Sequence, residues 1–513
     1  MSPNIRQTDN FKEKDRSNFY KMWCYYGCAI IWIIFGLYVS HTEVFLNKLI
    51  SKITEALPLR EGSEIYKVWT SPIHLTFTCH FFNVTNPDEV MSGSNPYFNE
   101  VGPFTYDEIL EKQIIDVDDT MDEITYTTKS TYSFNKDLSV KLSKHDKVTI
   151  LNPAYIGTIS MASIIAHEDE SSITRFLEIF SFNFKNNFLL SGLPPEFMEK
   201  YGNNIPKLFP NRSTIFLKAN PNDLLFNGIK VSCNLRKFPE LDLICKTLGS
   251  NPPLVLRETD KQDVYLLSIF QRVQIVCNKK TCSIFFFQHS LLPNLDSNVN
   301  ERRNYSDIFV TANKMFHVSK VNSTFRGPFS VNRGVNDITR LGDITSYMGK
   351  RIQTMWNSED CNTVRGTDSI IWAPLIKPLP FVSTFIPDLC RTIEADYKDE
   401  VSKYLPLIRD LILLQKLPVI LSEPHFLHGD PQLLKYARGL NPDERLHETY
   451  IIIEPYTGTP LSGQKRTQIN LYLEKQPVEL LSNVSEGYFP LMWCENVRSF
   501  KTVPIILSCL LNI

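Results

Sequence analysis

Between Ile73 and Asn83 apolar and polar positions alternate. Ile73, Leu75, Phe77, Cys79 and Phe81 fall on one side; His74, Thr76, Thr78 and His80 fall on the other. A strand turns successive side chains to opposite faces, so this period predicts a half-buried strand with both histidines on a solvated face. Asn86-Pro87 supplies a turn after it. Ile124 to Phe134, rich in Thr and Tyr, reads as a second strand. Tyr450 to Ile453 and the series Ile469, Leu471, Leu473 read as two more, separated by the turn segment Thr457 to Pro460. Helical spacing replaces alternation between residues 157 and 190. There Met161, Ile164, Ile165, Phe176, Leu177 and Phe180 predict two short amphipathic helices, and Lys403 to Gln415 predicts a third.

One stretch follows neither pattern. Trp23 to Ser40 is 18 residues without a charge. A bilayer core of ~30 Å needs about 20 apolar residues, a length that Lys21 and the interfacial tyrosines extend by snorkelling. The h-region of a cleaved signal peptide is shorter, and Tyr38-Val39-Ser40-His41 is a poor cut site, so the run reads as an uncleaved transmembrane helix. Arg6, Lys12, Lys14, Arg16 and Lys21 precede it, against a sparser Lys48, Lys52 and Arg60 after it. The denser basic flank belongs in the cytosol. The expected layout is a cytosolic tail over residues 1–22, the helix over 23–40 and an extracellular body over 41–501. Residues 502–513 are short for a span and read as a core strand or the start of a second one.

Five sequons agree with an extracellular body: Asn83, Asn211, Asn304, Asn322 and Asn483 are each followed by the N-x-S/T pattern. Eight cysteines lie in that body, where an oxidising compartment favours pairing. Cys277 and Cys282 have the spacing of half a zinc site, but no second pair or histidine cluster completes a tetrahedral set, so a local disulfide or two free thiols is the better reading. Net charge is −2 over 513 residues, which gives no support to a nucleic-acid partner. No nucleophile elbow, H-E-x-x-H, P-loop or dinucleotide fingerprint occurs. Neither an enzyme nor a cofactor is expected. The acidic cluster His167 to Glu170 reads as a solvated loop, and His425 and His428 flank a short turn with no evident Cys or Ser partner.

Several blocks then coincide in order: Leu59-Arg-Glu-Gly-Ser63, Phe82-Asn-Val-Thr-Asn-Pro-Asp-Glu-Val90, Glu100-Val-Gly-Pro-Phe-Thr-Tyr-Asp-Glu108, Cys361-Asn-Thr-Val-Arg-Gly-Thr-Asp368 and Asp388-Leu-Cys-Arg391. Together they resemble the CD36 family of scavenger-receptor and lipid-uptake proteins. Asp223 to Ile229 with Cys233 and Cys245, Phe329 to Val335, Gly439-Leu-Asn-Pro442 with His447, and Glu454 to Pro460 are similar to its insect sensory neuron membrane protein branch.

The resemblance implies a mixed α+β protein of the plasma membrane. Its large antiparallel β-barrel-like core would carry a membrane-distal helical cap, which would include residues 157–190, and an N-terminal transmembrane helix. It implies an apolar tunnel that carries a lipid or fatty-acid-derived ligand toward the membrane, alongside an odorant receptor. Cys233 with Cys245, and Cys361 and Cys390, resemble family half-cystines. Lys185 falls in the region assigned to the cap and is the candidate cation for a carboxylate head; its plainer reading is a solvated surface lysine. Burial of a methylene is worth about 0.8 kcal/mol, so a chain of about 16 carbons loses roughly 13 kcal/mol on entering water. A tunnel removes most of that barrier without covalent chemistry. The competing readings are a scavenger or adhesion receptor that meets lipoproteins or particles by surface contact, and a truncated, non-functional isoform.

Overall fold

The computed structural model describes residues 22–38, 44–159, 199, 201–209, 211–250, 255–275, 316–353, 359–374, 380–387, 391–396 and 419–499, apart from Cys24, Gln262 and Val321. Within these, mixed α+β architecture is dominated by one curled antiparallel sheet of nine strands. They are β1 (Ile73–Val84), β2 (Phe98–Asp118), β3 (Glu123–Phe134), β4 (Phe325–Asn332), β5 (Ile344–Tyr347), β6 (Val419–Ser422), β7 (Tyr450–Glu454), β8 (Thr459–Leu473) and β9 (Gly487–Ser499). The order across the sheet is β5-β4-β3-β2-β1-β9-β8-β6, with β7 also pairing β8. The first and last long strands of the body are therefore neighbours. The predicted strands at 73–83, 124–134, 450–453 and 469–473 all lie in this sheet, although Pro460 opens β8 rather than closing the turn before it.

Two apolar cores flank the sheet. The larger gathers Phe77, Cys79, Phe81, Phe104 and Tyr106 with the antiparallel strand pair 148–151 and 216–219 and with Leu224, Leu225 and Phe226. The second joins Ile124, Tyr126, Phe329 and Val331 to two helices that follow the apolar run, α1 (Val44–Ala56) and α2 (Glu64–Thr70). Helix α2 starts where the Ser63 side chain accepts from the Tyr66 N–H at 3.1 Å, and it buries Ile65 and Trp69, four residues apart on one face. Trp69 stands edge-on to Tyr126 at 5.1 Å. The Lys112 side chain is 1% exposed, its Nζ 3.4 Å from the Trp69 ring centroid and 3.5 Å from Asp368 Oδ2. The buried ammonium thus has an aromatic face and a carboxylate to replace water.

Two disulfides occur among the described residues. Cys233 bonds Cys245, where the second is on helix α3 (Asp242–Ser250), over a Cα–Cα distance of 5.8 Å. Cys79 bonds Cys494 across 415 residues of sequence. These two stand directly opposite on β1 and β9 with Cα atoms 4.1 Å apart, the close spacing of a non-hydrogen-bonded antiparallel pair.

Residues 25–38 are helical, and their large apolar side chains point outward all round, with Tyr25 77% and Trp32 71% exposed. No helix of the described residues is long and apolar enough to cross a membrane. Of the predicted helical region 157–190, residues 157–159 are helical and the rest lies outside the described residues, as do the predicted helix at 403–415, the acidic cluster 167–170 and the 502–513 segment.

Candidate functional site

The strongest constellation of ionisable groups sits on the face of β1 that alternation predicts to be solvated. His74 is exposed there, but His80 is not: its side chain is 18% exposed. The solvated-face reading of His80 is corrected, and the cause is local. Cys79 pairs with Phe104 and Phe81 with Val101, so β2 carries one extra residue opposite His80, at Gly102-Pro103. A bulge of one residue flips every side chain beyond it to the other face. It brings Glu100, opposite Phe82, onto the His80 side. Gly102 leaves the space that His80 fills: a Cβ there would lie 2.6 Å from His80 Nδ1.

Register supplies the rest of the face. Trp493 of β9 is opposite His80, and the rings stack at 4.2 Å and 6°. Gln468 of β8 is opposite Trp493, and Arg466 opposite Glu495. Two turns cover these residues. The first, Glu423 to Gly429, holds His425, Phe426 and His428 at φ 54°, 57° and 58°. Left-handed backbone costs L-residues of order 1–3 kcal/mol each and persists where surroundings over-determine it. The determinants are visible: buried Gln468 accepts the His425 N–H through Oε1 at 2.6 Å and donates from Nε2 to Asn470 at 2.7 Å. The second turn, Gly439 to His447, ends in a helical turn capped by Asp443. Gly439 has φ +95°, and a Cβ there would come 2.2 Å from the Phe98 carbonyl oxygen.

At the centre, Glu100 Oε1 accepts from Trp493 Nε1 at 3.2 Å and lies 2.8 Å from His80 Nδ1, while Oε2 lies 3.0 Å from His425 Nε2. Burial pushes this carboxyl up, but the hydrogen bonds from His425 and His80 outweigh it and hold it well below the usual carboxylate range. His425 stacks on His447 at 4.4 Å, and His447 meets Trp493 edge-on at 5.6 Å. Burial pushes His447 down to about 4. At the rim, His428 Nδ1 is 2.6 Å from Glu423 Oε2, and Arg466 Nε donates to Glu495 at 3.1 Å. The arrangement fixes both turns against the sheet. It contains no nucleophile–base pair, and no group of three or more potential ligands among the described residues is set to hold a metal ion.

Sequence reading reached His425 and His428 and placed His447 and Glu100 within family blocks, but brought none of them together; Trp493 it did not single out. The signal lay in the Gly102-Pro103 bulge, which shifts the parity of β2. Of the residues it did single out, Lys185, Cys277, Cys282, Cys390 and Asn304 lie outside the described residues, and Cys361 is described only as backbone of a short helical turn. Among the sequons, Asn211 and Asn483 are exposed. Asn83 Oδ1 accepts from the Thr149 N–H at 2.8 Å. Asn322 pairs with both backbone groups of Tyr132, each at 3.1 Å.

A separate cavity of about 320 Å³ is lined by Phe226, Asn227, Arg257, Asn322 and Ser323. Phe226 is its aromatic lining residue and stacks on Tyr132 at 5.0 Å, and Arg257 Nη2 donates to the Asn227 carbonyl at 3.1 Å.

Comparison with known proteins matches the CD36 family over residues 27–409 and 410–505. Sensory neuron membrane protein 2 of Heliothis virescens is 25% identical over 517 residues, covering 92% of this chain and 84% of that protein. Sensory neuron membrane protein 1 of Apis mellifera is 27% identical, covering 92% of this chain and 83% of its own. Sensory neuron membrane protein 2 of Manduca sexta is 26% identical, covering 87% and 80%.

Proposed function

The chain belongs to the CD36 family, and from that premise we propose that it is a membrane receptor of sensory cells that takes up lipidic ligands and passes them to the bilayer or to an odorant receptor. The observation that carries this reading is the family match along nearly the whole chain, together with relatives whose names place them in sensory neuron membranes.

The anchor in this proposal is Trp23 to Ser40. A helix apolar on every side has no aqueous face, and residues 25–38 are of that kind. At 1.5 Å per residue they span roughly 21 Å, and the flanking residues of the uncharged run extend this toward the thickness of a bilayer core. The basic residues before it favour a cytosolic N-terminus and an extracellular sheet.

The ligand reading rests on solvation. The roughly 13 kcal/mol that a 16-carbon chain loses in water is what a sheltered apolar passage would offset. The cavity beside Arg257 sets the Phe226 ring next to a guanidinium, a pairing suited to a carboxylate head. Titration of a fluorescent long-chain fatty acid into the full chain in nanodiscs tests the proposal. Saturable binding, displaced by unlabelled fatty acid, supports it; a linear signal equal to that of empty nanodiscs rejects it.

A further inference from the structure

We propose that His425 and His447 form a proton-operated latch, which keeps the 439–447 segment folded on itself and held to the 423–429 turn and Trp493 while both rings are neutral, and releases it in acid. The evidence is the role of each Nδ1. His425 Nδ1 accepts the Asn441 N–H at 3.0 Å, and His447 Nδ1 accepts the Asp443 N–H at 2.9 Å. Only a neutral imidazole has a lone pair to offer there; an imidazolium donates from both nitrogens. Protonation of either ring therefore sets N–H against N–H and removes the acceptor of a backbone group two residues from the other. The rings stack at 4.4 Å, so two positive charges also repel.

Charged and titratable groups reach the pair from every side. Glu100 of β2 and His80 of β1 lie beneath, with Glu100 attracting positive charge. Glu423 and His428 come from the same turn, and His428 is 3.7 Å from Glu444 of the neighbouring helical turn. Asp443 attracts positive charge toward His447, while Arg466 of β8, paired with Glu495 of β9, repels it. The balance for His447 falls on the side of the neutral ring. The segment has little else to hold its outer face: Arg445 has a side chain 90% exposed and Leu446 is 61% exposed. A receptor internalised into an acidic compartment would thereby uncover the Phe82–Trp493 region of its sheet. The latch is independent of which ligand the chain carries.

Amide hydrogen exchange of the full chain in nanodiscs, corrected for intrinsic rates, tests it. A ring at about 4 when latched and near 6.5 when free raises the opening constant about 30-fold between pH 7.4 and pH 5. Amides of Asn441, Asp443 and the following turn are expected to lose protection by that order, while β1 and β9 amides do not. The double variant His425→Asn/His447→Asn keeps a carboxamide acceptor near each Nδ1 but cannot titrate, and is expected to keep the segment protected at pH 5. Unchanged protection of the wild-type segment at pH 5, or equal acid release in the variant, overturns the proposal. Should the variant not fold, the wild-type comparison decides alone.

Discussion

Replacing both Cys79 and Cys494 with alanine removes a bond between the first and last long strands of the body. The chain-entropy model assigns a crosslink a denatured-state entropy of about −2.1 − 1.5R ln n cal/mol/K. With n near the 415-residue separation this gives about 6 kcal/mol at 25 °C. That is a ceiling, because denatured chains retain structure; native disulfides typically return roughly 2–5 kcal/mol. Little packing is lost in the exchange, since each alanine removes only one buried sulfur from a core that already holds Phe77, Phe81 and Phe104. The double variant is therefore expected to lose about 2–5 kcal/mol in denaturant unfolding of the purified chain. Peptide mapping without reductant checks the premise, by finding the two cysteine peptides joined. A double variant within about 0.5 kcal/mol of wild type, or alkylatable thiols at both positions in the unreduced protein, would refute the reasoning.

Three further outcomes are expected. Gly102→Ala places a Cβ 2.6 Å from His80 Nδ1; it should drive His80 off Trp493 and cost about 1–3 kcal/mol, read as a lower melting temperature with altered tryptophan emission. Asp343 is pushed up to about 6, chiefly by burial. Its folded-state value exceeds the unfolded one, so its penalty is absent at low pH and grows as pH rises through that window; Asp343→Asn should stabilise the chain by about 1–2 kcal/mol at pH 7.4 and by nothing at pH 3, measured by denaturant melts. In an N-linked glycan the sugar replaces the amide hydrogen cis to the carbonyl oxygen, the hydrogen Asn322 uses in its two-point pairing with Tyr132; glycopeptide mass spectrometry should find Asn211 and Asn483 occupied and Asn322 bare, and an occupied Asn322 in folded protein would contradict this.

Alternation along a strand reports which side chains share a face, and for β1 it sorted them correctly: Phe77, Cys79 and Phe81 join one core. What it cannot report is what lies over the other face. His80 is covered by residues 423–429 and 439–447, hundreds of positions away, and the contact depends on a bulge that only pairing reveals. The Cys79–Cys494 bond escaped for the same reason, since a 415-residue separation carries no spacing signal and direct opposition is a matter of register. Cys233 and Cys245 are 12 apart within one local unit, and a resemblance between short blocks marked both as disulfide candidates without assigning their partners. His425 and His428 looked partnerless because their partners, Glu100 and Glu423, are ordinary acids until the fold removes water from around them.

The central claim is that the chain carries lipid across water into a membrane by sheltering it. Its most direct test is the rate at which a fluorescent long-chain fatty acid passes from an aqueous carrier into vesicles bearing the full chain with its sheet outward. The account predicts a rate that rises with protein density and saturates with ligand. A rate equal to that of protein-free vesicles at every ligand concentration would contradict it.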